Sequence, residues 1–396
     1  MKIAFVAPPV ADKQDITPPV ALGYIAAVQE QQRHIVRIYD LALGDDTLTQ
    51  NALAQLRIFR PHLTLVATEE SKVSNALKQA LLETDNHVIW LGVELRHVLP
   101  DHTMMQAIWY LNHRSDTDNK QKIIVDSLVQ LIDSIDALPF PARHLLPLEQ
   151  YSLHTPSGDL QTTLVIGQRK TVDEIVFRQP SLIVAEMQSI VREYGIHHFA
   201  FSKEPITHNA VWLDDLLQQL TKSKLGIGWE ACISYKAPNT TQLRAMKAAG
   251  CEVLCCTFTA GDVLPSQCER DALLLFVKEA HACGIDVRAR ITLDAPYAAI
   301  PALVDLSATF GLDTVHFTVS QEHTTNGQPT TEEKLSVEAV AEMARLRYQS
   351  SRNRQFFIDR FGPQFGPMIW RFGRAGLLGR TWHRYATGSE DGAFVF

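Results

Sequence analysis

Short apolar strands alternate with helical stretches along most of this chain, and that alternation restricts its fold more than any other feature. Lys2–Val6, Ile35–Tyr39, Leu63–Ala67 and Val88–Leu91 are brief runs rich in aliphatic residues. Between them, Val20–Gln32, Thr47–Phe59 and Ser74–Glu83 carry apolar residues at helical spacing. Parallel strands need a crossover, and an intervening helix supplies it. Residues 1–135 are therefore expected to form a Rossmann-like, doubly wound domain. Ligands of such sheets sit beyond the strand C-termini, here near Ala7–Thr17, Ala67–Lys72 and Gly92–His97.

Leu138-Pro139-Phe140-Pro141-Ala142-Arg143 interrupts the pattern with two prolines, which cannot continue a helix. The linker is placed at residues 136–160. Beyond it the alternation resumes with strands Thr162–Ile166, His197–Phe201, Gly228–Ile233, Glu252–Phe258, Asp286–Leu293 and Thr314–Val319. The intervening helices are Ser181–Tyr194, Ala210–Leu220, Thr240–Ala249, Cys268–Ala282 and Ile300–Phe310. Six strands with crossover helices suit a partial (β/α)6 barrel over residues 161–335. Residues 336–396 read as a helical, arginine-rich end that turns irregular where glycines recur.

The net charge of −7 conceals an uneven distribution. Nine arginines lie between Met343 and Tyr385, against Asp359 as the one acid. Phe356, Phe357, Phe361, Phe365, Trp370, Phe372 and Trp382 are interleaved with them, too much apolar surface to leave in water. Arg371, Arg374, Arg380, Arg384, Trp370 and Trp382 are thus expected in a docking surface. Its counterpart is the protein's own body, a partner subunit or, last in rank, an anionic membrane. Nucleic acid has only this basic segment in its favour, with no recognition-helix pattern. No apolar run approaches the roughly 18–20 residues of a membrane span, and the first strand is too short for a secretory signal. The expected location is the cytoplasm. There the six cysteines, at 232, 251, 255, 256, 268 and 283, would be thiols rather than disulfides.

The strand period of two sorts the barrel residues. Val287, Ala289, Ile291 and Leu293 form one apolar face, so Arg288, Arg290, Thr292 and Asp294 share the other. The same rule turns His198, Glu204, Glu230, Cys232, Cys255, Thr259 and His316 inward. Buried unpaired, such groups cost about 1–3 kcal/mol each. The arginines therefore need a cross-barrel network, such as Arg290 with Glu230 or Glu204, or an anionic ligand. Cys232 and Cys255 would sit on adjacent strands inside such a pocket and are read as simple buried thiols ahead of a metal site. No phosphate loop, dinucleotide fingerprint, zincin motif or nucleophile triad is present.

Two stretches carry a family resemblance. Thr17-Pro18-Pro19-Val20-Ala21-Leu22-Gly23-Tyr24-Ile25-Ala26-Ala27-Val28, followed by Arg33-His34-Ile35-Val36-Arg37-Ile38-Tyr39-Asp40, resembles the opening of the cobalamin-binding domain of B12-dependent radical SAM enzymes. Ile135-Asp136-Ala137-Leu138-Pro139-Phe140-Pro141-Ala142-Arg143-His144-Leu145-Leu146-Pro147 is similar to that family's connector into the radical SAM barrel. Shorter matches at Arg192–Ile196, Met246–Cys251 and Ala280–Ile285 follow in order. The resemblance covers roughly residues 1–320 and implies a cobalamin-binding-type domain followed by a radical SAM-type barrel, with the helical C-terminal region read from the residues alone.

The departures concern chemistry. Active members carry Cys-x3-Cys-x2-Cys after the first barrel strand, and three thiolates hold a 4Fe–4S cluster that binds SAM. Here Leu164–Thr171 has no cysteine. Cys251, Cys255 and Cys256 stand on a later strand with different spacing. The family's Gly-x-Glu-Ser-Gly aligns with Thr257–Gly261, its Gly-x-Pro-Gly-Glu with Asp294–Ala298 and its Asp-Asp with Lys203-Glu204. These changes argue against a cluster and against SAM. In the first domain Gly92-Val93 replaces Gly-Gly and no Asp-x-His-x-x-Gly cobalt ligand occurs, which leaves cobalamin binding open. Pro8, Pro9, Thr68, Glu69, Gly92 and Val93 would form the corrin edge. The resemblance thus implies a non-catalytic partner subunit of an active radical SAM paralogue, a heterodimer. The alternatives are a cobalamin, tetrapyrrole or small-molecule binding protein, and an enzyme with cluster-free chemistry in the barrel.

Overall fold

The computed structural model describes residues 1–9, 16–43, 46–68, 73–83, 88–91, 135–137, 139–151, 153–155, 158–169, 174–202, 204–233, 238–259, 267–293, 304, 310–319, 344, 353–374 and 377–378. Two compact units emerge, Met1–Glu204 with Lys222–Ile227, and Pro205–Thr221 with Gly228–Phe396.

The first unit begins with a parallel sheet in the order β2-β1-β3-β4, from β1 (Lys2–Ala7), β2 (Ile35–Asp40), β3 (Leu63–Val66) and β4 (Val88–Trp90). Helices α1 (Val20–Gln31), α2 (Asp46–Phe59) and α3 (Asn75–Leu82) supply the crossovers. Alternate residues of β1 enter different cores, because successive side chains point to opposite faces. Ile3, Phe5 and Ala7 pack with α1, while Ala4 and Val6 pack with Leu53, Leu56 and Phe59 of α2 and Leu81 of α3. Both faces are covered, as a parallel sheet requires. Helix α1 is buried along Val20–Gln29 and so has no polar face there. Ser74 starts α3, its Oγ accepting from the Leu77 amide at 3.3 Å.

The connector joins this sheet to the next strands through α1. A Cβ on Gly23 would lie 3.1 Å from Pro141 Cβ, and the Ala142 amide donates to the Gly23 carbonyl at 2.9 Å. The two stretches that carry the family resemblance thus pack on each other. Strand β5 (Gln161–Leu164) pairs in parallel with β8 (His198–Phe201), with α4 (Pro180–Tyr194) as the crossover. Between them, β6 (Gly167–Arg169) and β7 (Ile175–Phe177) form an antiparallel pair. Sequence periodicity gave no sign of it, because each strand is only three residues long.

In the second unit β9 (Gly228–Ile233), β10 (Cys251–Thr259), β11 (Asp286–Leu293) and β12 (Thr314–Val319) pair in chain order, all parallel. Helix α5 (Ala210–Ser223) precedes β9, and α6 (Thr240–Ala248) and α7 (Gln267–Ala282) are crossovers. Sequential parallel strands with intervening helices are the pattern expected of barrel strands. The expected helix at 300–310 falls almost entirely outside the described residues. The basic end forms α8 (Arg354–Arg374), broken at Gly362, whose φ of 80° only glycine adopts freely. Pro363 then opens the second half, where its missing N–H costs nothing.

Candidate functional site

The second unit presents two unlike sheet faces. Trp229, Ala231 and Ile233 of β9, Leu254 and Cys256 of β10, and Val287, Ala289 and Ile291 of β11 are buried on one. The other carries Glu230, Cys232, Cys255, Thr257, Arg288, Arg290 and His316. Register aligns Cys232 with Cys255 and Arg288, and Thr257 with Arg290 and His316. The alternation expected along β11 is therefore present.

Arg288 Nη1 donates to Glu230 Oε2 at 2.7 Å, with the two side chains 25% and 26% exposed. The Glu230 partner is Arg288 rather than the Arg290 expected from sequence. Glu230 stands one pleat before the row of Cys232, Cys255 and Arg288, so Arg288 reaches back diagonally. Arg290 lies one row farther on. The neighbouring thiols respond to this arrangement. A hydrogen bond from Cys232 lowers the Cys255 pKa to about 7, and the Arg290 and Arg288 charges add to it against burial and Glu230. On the opposite face, burial pushes the Cys251 and Cys256 thiols far up. Thr259 lies on β10 level with Thr292, and His316 is exposed on β12.

His198 and Glu204 belong to the first unit. His198 Nε2 is 3.9 Å from Asp159 Oδ2, and Glu204 is half-buried just beyond β8. Of the corrin-edge residues, buried Pro8 and Thr68 and exposed Pro9 lie at the carboxyl ends of the paired strands β1 and β3. Glu69, Gly92 and Val93 lie outside the described residues.

The arginine-rich end docks on its own unit. Arg371 Nη2 donates to Asp286 and, at 3.1 Å, to Asp313; Arg354 Nε is 3.6 Å from Asp313. Trp370 is 1% exposed, and its ring meets His281 edge-on at 5.9 Å. Burial works against the Asp313 carboxylate. The His281 hydrogen bond at 2.7 Å, the charges of His281 and Arg371 and the Val287 amide nevertheless hold its pKa below the usual value. Arg374 ends α8, while Arg380, Trp382 and Arg384 lie outside the described residues.

A second buried charge network was not anticipated. Glu186 of α4 accepts from Arg143 at 2.8 Å and from Arg178 at 2.7 Å, and all three are at most 3% exposed. Arg143 also donates to Thr162 Oγ1 and the Thr163 carbonyl, and Arg178 to Tyr24 and the Val165 carbonyl. Burial raises the Tyr24 phenol strongly, keeping it protonated. A signal existed. Glu186 is the one acid among Ile183, Met187 and Ile190 on the apolar side of α4. A cavity of about 480 Å³ lies beside this network, lined by Glu30, Phe140, Arg143, His144, Glu193 and Tyr194 among others.

A 4Fe–4S cluster of the radical SAM type needs three convergent thiolates. Where the family carries them, Ile166–Arg169 has none, and the Arg178 amide closes the β6–β7 pair onto the Ile166 carbonyl at 2.8 Å. Cys251 and Cys256 point away from Cys255. Among the described residues no group of three metal-binding side chains converges. The described residues do not fit such a cluster.

No protein-family model matches the chain. A curated relative, an uncharacterized methyltransferase of Pyrococcus horikoshii, is 24% identical over 302 residues, covering 64% of this chain and 64% of the relative. The chain therefore spans less than two thirds of that relative's length. Among solved structures, the radical S-adenosylmethionine methyltransferase TsrM of Kitasatospora setae, with cobalamin and a 4Fe–4S cluster bound, superposes with a TM-score of 0.54. That match covers 80% of this chain and 71% of TsrM at 12% identity. The same enzyme with tryptophan and a SAM analogue bound also gives 0.54. This chain shares the α/β fold of a cobalamin-binding radical SAM methyltransferase.

Proposed function

We propose that this chain is a non-catalytic relative of the cobalamin-dependent radical SAM enzymes, acting as a partner subunit of an active paralogue. The observation that carries this reading is the segment after β5. There the chain carries no cysteine from Leu164 to Thr171, and β6 and β7 pair antiparallel. A chain without cluster ligands there whose connector is still packed on α1 at Gly23 and Pro141 and tied to α4 through Glu186 is what a fold used for its surfaces would look like. The test is anaerobic reconstitution with iron and sulfide, followed by iron analysis, together with affinity purification from its native host. The expected result is no stoichiometric iron and co-purification of a cysteine-bearing paralogue. Near four irons per chain would overturn the reading, and so would a chain that brings down no such paralogue.

A second reading has its own support. The half-open face with the Glu230–Arg288 pair and Arg290 suits a small anionic ligand, and the carboxyl edge at Pro8, Pro9 and Thr68 suits a corrin. A visible spectrum after incubation with cobalamin tests the corrin. Corrin absorbance retained through gel filtration would favour binding at that edge.

A further inference from the structure

We propose that Cys232 and Cys255 form a thiol–disulfide exchange site that reacts with small anionic disulfides. The placement of the two residues carries the argument. They occupy one register position on adjacent parallel strands, β9 and β10, and both are half-buried on the polar face. Neighbouring strands lie about 4.7–4.9 Å apart. A disulfide needs Cα atoms about 4.4–6.8 Å apart, so the pair can close without moving the backbone far. Arg288 stands in the same row as Cys255, and Arg290 one row beyond. Two guanidinium groups beside a thiol favour its thiolate and attract a carboxylate-bearing disulfide. The depressed pKa of Cys255 agrees with this. Cys251 and Cys256 supply an internal contrast, for both are fully buried on the opposite face.

The chemistry balances with the small disulfide as oxidant. The Cys255 thiolate attacks one sulfur of it, that S–S bond breaks, and one small thiolate leaves. Cys232 then gives its proton to solvent and attacks Cys255 Sγ. The mixed disulfide breaks, and the second small thiolate leaves and is protonated. The protein pair loses two electrons, and the small disulfide becomes two thiols. Reverse exchange with excess thiol restores the pair.

The full-length protein, reduced and then freed of reductant, would be treated with glutathione disulfide at neutral pH. Free thiols would then be alkylated in the folded state and the peptides analysed by mass spectrometry. The expected product is a Cys232–Cys255 bridge, with Cys251 and Cys256 alkylated only after unfolding. Cys232→Ser should trap glutathione on Cys255. In Cys255→Ser, modification of Cys232 should be on the order of tenfold slower, because its thiolate is scarcer. Arg290→Gln keeps both thiols and should slow the first step if either serine variant fails to fold. Cys232 and Cys255 both remaining alkylatable in the wild type after treatment would overturn the proposal. Equal reactivity of Cys251 or Cys256 in the folded protein would do the same.

Discussion

Arg143 donates to Glu186 at 2.8 Å across 43 residues of chain, joining the connector to the first helix of the second strand series. Arg178 takes the other oxygen of the same carboxylate at 2.7 Å and extends the link to Tyr24 on α1. One acid thus holds two buried arginines, which also donate to Thr162 Oγ1, the Tyr24 hydroxyl and the Thr163 and Val165 carbonyls. Removing one partner of a buried pair strands a charge, at about 3–5 kcal/mol. Glu186→Gln is expected to lower unfolding free energy by that amount in urea titrations. A loss below about 1 kcal/mol would show that the network does not hold these elements together.

Gly23 is where α1 and the connector come closest. Any larger side chain must displace Pro141, since even a Cβ would sit 3.1 Å from it. Gly23→Leu is expected to cost about 1–3 kcal/mol through overpacking. The check is a lowered thermal midpoint, with Gly23→Ala, which adds only the Cβ, expected to lower it less than Gly23→Leu.

Asp313 links stability to acid pH. Its folded pKa is below the unfolded value, so it contributes stability that is complete above the unfolded pKa of about 4 and is lost as pH falls through the folded pKa. Among the described residues His281 of α7 and Arg354 and Arg371 of α8 face it, and Asp286 of β11 shares both arginines. Asp313→Asn should flatten the stability loss measured below about pH 4. An unchanged acid limb would mean that other carboxylates dominate it.

Trp370 anchors α8 with Phe357, and both are fully buried. Trp370→Ala is expected to cost about 3–5 kcal/mol locally. Limited proteolysis should then cut near Gly362 much faster than in the wild type. Equal cleavage rates would mean that Arg354 and Arg371 suffice to dock the helix.

Much of this fold could be read from the chain. The aliphatic runs 2–6 and 63–67 are strands of a sheet covered on both faces, which buries nearly all of their residues, while the edge run 35–39 leaves Ile35 and Arg37 exposed. The apolar alternation of Val287, Ala289 and Ile291 put Arg288 and Arg290 on the opposite face. The clustering of aromatic residues with arginines around 356–372 was enough to expect docking. The partners were not readable. Which acid takes Arg288 depends on where Glu230 falls relative to β11, and a strand between them sets that offset.

What the sequence determined by itself is the order of the longer elements, the opposite faces of the apolar residues and the two arginines on β11, and the absence of cysteine just after β5. Those follow from local periodicity and from residue identity, which need no partner. The tertiary structure alone decided that Glu186 would collect Arg143 and Arg178, that Asp313 would take Arg371, and that Cys232 would stand level with Cys255. Each of these depends on register between segments distant in the chain. Register is set by the packing of whole elements, so no local window contains it.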